Sequence, residues 1–461
     1  MQDTQNASQC PDDDWTTSPQ NPANWPPTRK WAIVTLLWAT IIMASIFSVA
    51  FEPAIPSMLE DFGTDSHALS AFIVSVYTIG YCIGPLITSP ASELYGRMMV
   101  IYPSFLLYLV CLAICGGSTN VAMFIVFQGV MGCAGITFII SGGAIVADMI
   151  PKHRRGLAQS FLTSGTTLGP TIAGPIIGGL VAENIGWRWI FWIGMIALGS
   201  IMLVLIPILR ETYPPILHAR RQNTEKRTSY MPLATSSRPS EVFRNACLRP
   251  LRFLLRTRLV PILSFFTSIV NSYMLILFAT LGTTFQSKYG FSPFASGLAY
   301  LGLFVGFALS QICIGLSSDA FLMRRADPIP EHRLPLLIFG ASLLPGALLM
   351  YGWTIQAHTH WMAPITASGL VAAASMCLYI PVQIYFVDVY TLHAASAMGA
   401  ASIVRSVISA VVPLGAEPLY NRLDYGWGFT LLAGIAFLFV LGAIYLVKWG
   451  ERLRNLDKEM K

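Results

Sequence analysis

GTTLGPTIAGPIIGG, residues 165–179, is the stretch on which the reading of this chain turns. It is apolar enough to cross a bilayer, yet it holds Gly165, Gly169, Gly174, Gly178 and Gly179, with Pro170 and Pro175 among them. Spacings of four put Gly165, Gly169 and Ala173 along one helical face, and Gly174 and Gly178 along a neighbouring one. Faces without side chains let a second helix approach backbone to backbone, as small-residue interfaces do in membranes. Each proline removes a backbone donor and bends the helix, which lipid tolerates only where neighbouring groups satisfy the carbonyls so freed. The stretch therefore predicts a bent, tightly packed transmembrane helix.

The composition around it agrees. Of 461 residues, 54% are hydrophobic and 11% charged, where a soluble domain has about 25% charged residues. The net charge of +6 is spread over loops between apolar runs, which argues against a nucleic-acid partner. Cys82, Cys111, Cys115, Cys133, Cys313 and Cys377 fall in apolar runs, and Cys10 and Cys247 in polar ones. None has metal-ligand spacing, and no disulfide framework or metal site is expected. The first thirty residues are polar and then proline-rich, with no cleavable leader in view, so the first apolar run is expected to act as an uncleaved anchor.

Apolar runs of about twenty residues lie near 31–51, 69–89, 99–117, 121–146, 157–182 and 188–208, and again near 259–281, 294–316, 334–353, 361–386, 396–418 and 427–448. Pro381 and Gln383 weaken the run at 361–386. The expected architecture is all-α: a tail (1–30), a six-helix half (31–209), a polar central loop (210–258), a second six-helix half (259–448) and a second tail (449–461). Lys and Arg concentrate on one side, at Arg29, Lys30, Arg97, Lys152, Arg154, Arg155, along the central loop, at Arg324, Arg325 and Arg333, and in the last tail. The opposite loops hold only Arg188, Lys288 and Arg422, so both termini are expected to be cytoplasmic. The loop is read as a flexible tether with a basic, membrane-surface helix near its end.

Six spans plus six suggests a duplicated transporter whose halves rock around a site at mid-membrane. The loop after span two, SPASELYGR (89–97), and that after span eight, GLSSDAFLMRR (315–325), each place an acid a few residues before an arginine: Glu93 and Arg97, Asp319 and Arg324. Such pairs at helix ends can lock two halves together in one conformation.

These strings also carry a family resemblance. The glycine-proline helix resembles the antiporter motif on the fifth helix of major facilitator drug:proton antiporters, roughly G-x-x-x-G-P-x-x-G-P-x-x-G-G, except that the second Gly-Pro step comes one residue late. SPASELYGR resembles the signature G-x-L-x-D-x-x-G-R of that superfamily, with Ser89, Ala91 and Glu93 replacing its first three fixed residues and Gly96 and Arg97 matching. GGAIVADMIPKHRRG (142–156), GWRWIFWI (186–193), RETYPPILHAR (210–220), PEHRLPLLIFGA (330–341), PVQIYFVDVY (381–390) and ASAMGAASIVRS (395–406) extend the likeness to the fungal twelve-span group, from Asn21 to Arg454. That group includes multidrug, polyamine and secondary-metabolite exporters. One departure stands out: the arginine usual three residues before Gln128-Gly129 is Ile125 here.

The resemblance implies a hinge at the glycine-proline helix. It also implies a cytoplasmic gate of Glu93, Gly96, Arg97, Asp148, Arg155, Asp319 and Arg324, with Asp148 joining Arg97 or Arg155. Polar groups inside a membrane are functional candidates by default. Glu52, in FEPAIP at the outer end of span one, is a cavity acid or an interfacial carboxylate; with Asp148 and Arg405 it is a candidate for proton coupling. Arg405 needs a partner or water, and Asp388 and Glu417 are the acids in reach by sequence. Tyr77, Gln128, Asn271, Tyr273, Gln311, Tyr379 and Gln383 are the candidates for lining a substrate cavity, or for holding helices together.

No Walker loop, HExxH or G-x-S-x-G elbow is present, His358 and His360 have no nearby acid, and the sequon at Asn6 lies in a cytoplasmic tail. The expected function is export of small amphipathic organic compounds driven by protons, by a cofactor-free monomer in the plasma or vacuolar membrane. A gradient-independent facilitator or importer on the same fold, or a non-transporting sensor, is the alternative.

Overall fold

The computed structural model describes residues 18, 21–63, 67–217, 248–291, 298–323, 330–390, 394–412 and 416–459. Among the described residues there are helices and no strands. Span one is Pro27–Val49, span two His67–Leu94, span three Met98–Gly116, span four Val121–Met149 and span six Arg188–Ile208. In the second half, span seven is Leu259–Tyr289, span eight Leu301–Met323, span nine Pro335–Gln356, span ten Met362–Val389 and span eleven Ala394–Val411. Span twelve lies in the helix Ala416–Glu459, which breaks at Asp424 (φ 57°, ψ 171°). Span ten is unbroken despite Pro381, and a short amphipathic helix, Arg249–Arg256, ends the central loop with Phe253 buried.

Every third span is peripheral. The most apolar windows of spans three, six, nine and twelve are 39%, 28%, 44% and 28% buried, against 50%, 56%, 65% and 83% for spans one, four, seven and ten. Large apolar side chains on those outer spans, such as Leu203, Ile196 and Leu438, therefore face lipid, and Trp189, Trp353 and Trp427 sit exposed near span ends, as membrane-interface tryptophans do. The same pattern in both halves is the duplication seen in three dimensions. Each half has its own apolar core, and Ile136, Ile140 and Ala144 of span four pack into the core of the other half.

Span five is not the single helix that its hydropathy predicts. It runs as Lys152–Leu168, a π turn over Gly169–Ala173, then Gly174–Asn184. A π turn is one residue wider than an α turn, and this one fills the interval between the two Gly-Pro steps, where the sequence holds one residue more than the motif it resembles. The Thr171 hydroxyl donates to the Thr167 carbonyl, one of the local bonds by which side chains satisfy a proline-interrupted helix in lipid.

The π turn also corrects the expected faces. Gly165, Gly169 and Gly178 all press on span one: a Cβ on Gly165 would stand 3.1 Å from the Ile42 amide nitrogen, one on Gly169 2.9 Å from the Ile42 carbonyl, and one on Gly178 would collide with the Ala50 carbonyl. Nine α-helical residues from Gly169 to Gly178 turn through about 900°, to the opposite face; absorbing one in the π turn leaves about 800°, back towards the same side. Gly174, Pro175 and Gly179 are helical, and their contacts lie outside what the structure describes.

On the outer side, the Trp187 indole and the Arg188 guanidinium both donate to Asp61, at 2.9 and 2.7 Å. They hold that carboxyl below its usual range and tie the segment after span one to span six. The thiols Cys82, Cys111, Cys115, Cys133, Cys313 and Cys377 are all free.

Candidate functional site

Between the halves lies a cavity of about 390 Å³. Among the described residues its walls come from spans one, two, four, five, seven, eight, ten and eleven together with the turn after span one, and none from the four peripheral spans. Glu52, in the single turn Glu52–Ala54 that follows span one, borders the cavity towards the outer side. Tyr77, Asn271 and Tyr379 line it, as the sequence suggested, and Arg405 lies at the cytoplasmic end. Met274, Phe278, Phe307 and Met376 make much of the wall apolar and soft. A smaller chamber beneath is lined by Gln159, Thr163, Gln383 and Ser402, with Tyr379 and Arg405 shared between the two.

Other candidates have different places. Tyr273 is buried in the second half, where its hydroxyl donates to the Leu432 carbonyl at 3.2 Å. Gln128 is fully buried in the first half and does not reach the cavity. Gln311 of span eight donates to the Thr167 hydroxyl of span five at 2.6 Å, a bond between the halves.

Arg405 is the largest departure from expectation. Asp388 does not pair with it, and the Glu417 side chain lies outside the described residues. Its guanidinium instead donates to the Tyr379 and Ser402 hydroxyls and stands 5.5 Å from the Tyr379 ring centre. Among the described residues it has no carboxylate partner.

Below the cavity, a network of charged groups lies at the span ends expected to face the cytoplasm. The sequence paired Glu93 with Arg97; the structure separates them. Arg97, fully buried, gives its Nε to Asp148 at 3.2 Å and a terminal nitrogen to the Ser92 hydroxyl, all within the first half. Asp148 also accepts from Thr212, so it joins Arg97 and not Arg155. Glu211, just past span six, accepts the backbone amides of Arg97 and Met98 at 3.0 and 3.3 Å. Gly96, at φ 103°, takes a conformation suited to glycine, and the Glu211 carboxylate fills the place a Cβ would need.

Glu93 reaches across the halves. One oxygen accepts the Ser396 amide at 2.9 Å in the first turn of span eleven, where free amides and the helix dipole favour an anion; the other meets Arg249 at 2.9 Å. Arg155, at the start of span five, crosses in the other direction to Asp388 while donating to the Ala147 and Ile150 carbonyls of its own half. Asp388 also accepts Arg333 Nε at 2.9 Å. Arg333–Asp388 thus repeats Arg97–Asp148, with the same nitrogen and the end of the corresponding span. Arg333 takes in the second half the place that Arg97 takes in the first; Arg324 and the Asp319 side chain lie outside the described residues. Glu331 completes the second module, accepting from Tyr385 at 3.0 Å and meeting Arg454 at 3.2 Å.

Sequence reasoning gave no role to Glu211, Arg249, Glu331 or Arg333. The signal was present as acids and arginines flanking the spans in RETYPP and PEHRLP, but the partner of each is a long way off in sequence.

Comparison with known proteins places this arrangement. The chain matches the Major Facilitator Superfamily over residues 37–413. It is similar to the MFS-type transporter hepF of Aspergillus oryzae, with 35% identity over 447 residues covering 95% of this chain and 92% of that one. The efflux pump radE of Floropilus chiversii is 36% identical over 456 residues, 96% of this chain and 84% of its own length. In fold, the proton:xylose symporter XylE superposes with a TM-score of 0.72 at 15% identity, covering 92% of this chain and 96% of that one. The human organic anion transporter MFSD10 does so at 0.67 and 17%, covering 91% of this chain and all of that one. With twelve spans in two sixfold halves around a shared cavity, the chain belongs to the Major Facilitator Superfamily of membrane transporters.

Proposed function

We propose that this transporter exports small amphipathic organic compounds across the plasma membrane in exchange for protons, working as a monomer in the bilayer. The observation that carries the reading is a largely apolar cavity between the halves, bordered by Glu52 towards the outside and closed towards the cytoplasm by the Arg155–Asp388 and Glu93–Ser396 links. A similar chain bearing the name efflux pump supports the outward direction.

In this reading Glu52 carries the proton and the cytoplasmic links open and re-form as the halves rock. Asp148, a second coupling candidate by sequence, is held by Arg97 and Thr212 outside the cavity wall, and its role is to stabilise the first half. One charge crossing 100 mV yields about 2.3 kcal/mol and each pH unit about 1.4 kcal/mol, so one proton supports a concentration ratio of about a hundredfold or more. The π turn at Gly169–Ala173 gives span five its bend against span one and serves as the hinge.

The test is efflux of a loaded panel of small aromatic compounds from cells expressing the chain, with and without a protonophore. Efflux abolished by the protonophore is the expected result. Persistent, gradient-independent flux would instead establish a facilitator.

A further inference from the structure

We infer that the cavity selects cargo carrying an anionic head, a carboxylate or an acidic phenol or enol, which docks on Arg405 while an apolar body fills the space above; this rests on the export reading and names its substrate class. A guanidinium has five donors in a planar fork that matches a carboxylate or an enolate. Arg405 commits two of its nitrogens to the hydroxyls of Tyr379 and Ser402, which orient the fork without cancelling its charge. A charge within a membrane protein is costly unless paired, hydrated or used.

The other arginines buried at the cytoplasmic side show how this protein treats a cation that does not border the cavity. Arg97 and Arg333 are fully buried, Arg155 nearly so, and each meets an aspartate. Asp388, the acid that sequence offers to Arg405, already holds two other arginines. Arg405 stands apart on both counts: no described carboxylate meets it, and it borders the cavity. The facing surface fits an arene: Met274, Phe278, Phe307 and Met376 present polarizable and aromatic groups. Tyr379, beside the guanidinium, adds a hydroxyl that can donate to the same anion once it turns from Arg405.

The one acid lining the cavity among the described residues, Glu52, lies at its other end, after the outer end of span one. An anion therefore meets attraction at the floor and repulsion at the outer mouth. Protonation of Glu52 removes that repulsion, linking departure of the cargo to arrival of a proton.

The experiment uses the full-length protein in lipid nanodiscs and two probes that differ in one group, 1-naphthaleneacetic acid and its neutral carboxamide. Equilibrium binding at pH 7.5 is measured on the wild type, Arg405→Gln and Arg405→Lys, with thermal unfolding recorded to show that each variant is folded. The expected result is that the wild type prefers the acid by about tenfold or more. Arg405→Gln should abolish that preference by weakening the acid alone, and Arg405→Lys should keep part of it. Equal affinities for acid and amide in the wild type, binding of neither, or an acid preference that survives in Arg405→Gln would each overturn the inference. The panel efflux assay is read separately. Normal efflux with no acid preference leaves the export reading standing and removes this one, whereas an Arg405-dependent acid preference without efflux does the reverse.

Discussion

Arg155, in the first turn of span five, pairs with Asp388 at the end of span ten, and so joins the two halves of the transporter at their cytoplasmic side. The link runs one way. The segment leading into span eleven, residues 390–396, carries no arginine to return the contact to Asp148, and the Glu93 carboxylate on the Ser396 amide takes that place. The seal is therefore built from a duplicated pair in each half plus two unlike bridges between them.

The bridges predict an order of severity. Asp388→Asn leaves two buried arginines without their acid, whereas Arg155→Gln leaves Asp388 still held by Arg333. Breaking one side of a buried ion pair costs about 3–5 kcal/mol, so Asp388→Asn should lower the unfolding temperature of the purified protein clearly more than Arg155→Gln. Both should also open the cytoplasmic side, read as faster alkylation from that side of a cysteine placed at Thr163 in the lower chamber. Equal unfolding temperatures, or unchanged alkylation, would contradict this assignment.

Gly96 predicts a local loss with two causes. At φ 103° an alanine is strained by about 1–3 kcal/mol, and its Cβ also displaces the Glu211 carboxylate from the Arg97 and Met98 amides. Gly96→Ala should destabilise the protein more than Glu211→Gln, which keeps the shape and one acceptor oxygen. Thermal unfolding of the two single variants decides it, and a Gly96→Ala protein as stable as the wild type would refute the account.

These examples mark what the sequence could and could not reveal. The twelve spans and the special status of span five were legible because hydropathy and glycine-proline spacing are local in the chain. The width of the interval between Gly169 and Gly174 was legible too, yet its consequence, a π turn that swings Gly178 towards Ala50, needed backbone geometry. The partners of Glu93, Arg155 and Arg405 were not legible. Each is chosen among several acids or hydroxyls that lie at similar membrane depth, and which one is in reach depends on helix rotation about its axis. Sequence paired Glu93 with its neighbour Arg97 and offered Asp388 to Arg405; packing gave both acids a partner in the opposite half.

Span five predicts a contrast between glycines. Gly178→Ala puts a methyl group where the Ala50 carbonyl stands, and Gly169→Leu crowds the Ile42 carbonyl, so both should lose transport and stability. Gly199, on span six, has nothing within 4 Å of an added Cβ, and Gly199→Ala should be neutral or stabilising by up to about 1 kcal/mol through helix propensity. Deleting Ile172 should remove the π turn yet leave about 800° between Gly169 and Gly178, so Gly178 stays towards Ala50; transport should be lost with the hinge, even though the deletion restores the spacing of the motif the stretch resembles. Efflux by a membrane-inserted Ile172 deletion at the wild-type rate would refute the claim that the π turn serves as the hinge of span five.

Glu52 predicts separation of coupling from translocation. If this carboxyl carries the exchanged proton, Glu52→Gln keeps the shape of the cavity border but cannot bind and release a proton in each cycle. Cargo should still cross down its own gradient, while the steady-state ratio against a proton gradient falls from about a hundredfold to near unity. Glu52→Asp, still acidic but shorter, should retain part of the gradient. The measurement is accumulation of a fluorescent panel compound by inside-out vesicles, in which the exporter loads the lumen, at fixed pH difference with and without protonophore. Protonophore-sensitive accumulation by Glu52→Gln at the wild-type level would place the coupling proton elsewhere. Loss of both downhill and uphill flux would give Glu52 a structural role in the wall in place of a proton-carrying one.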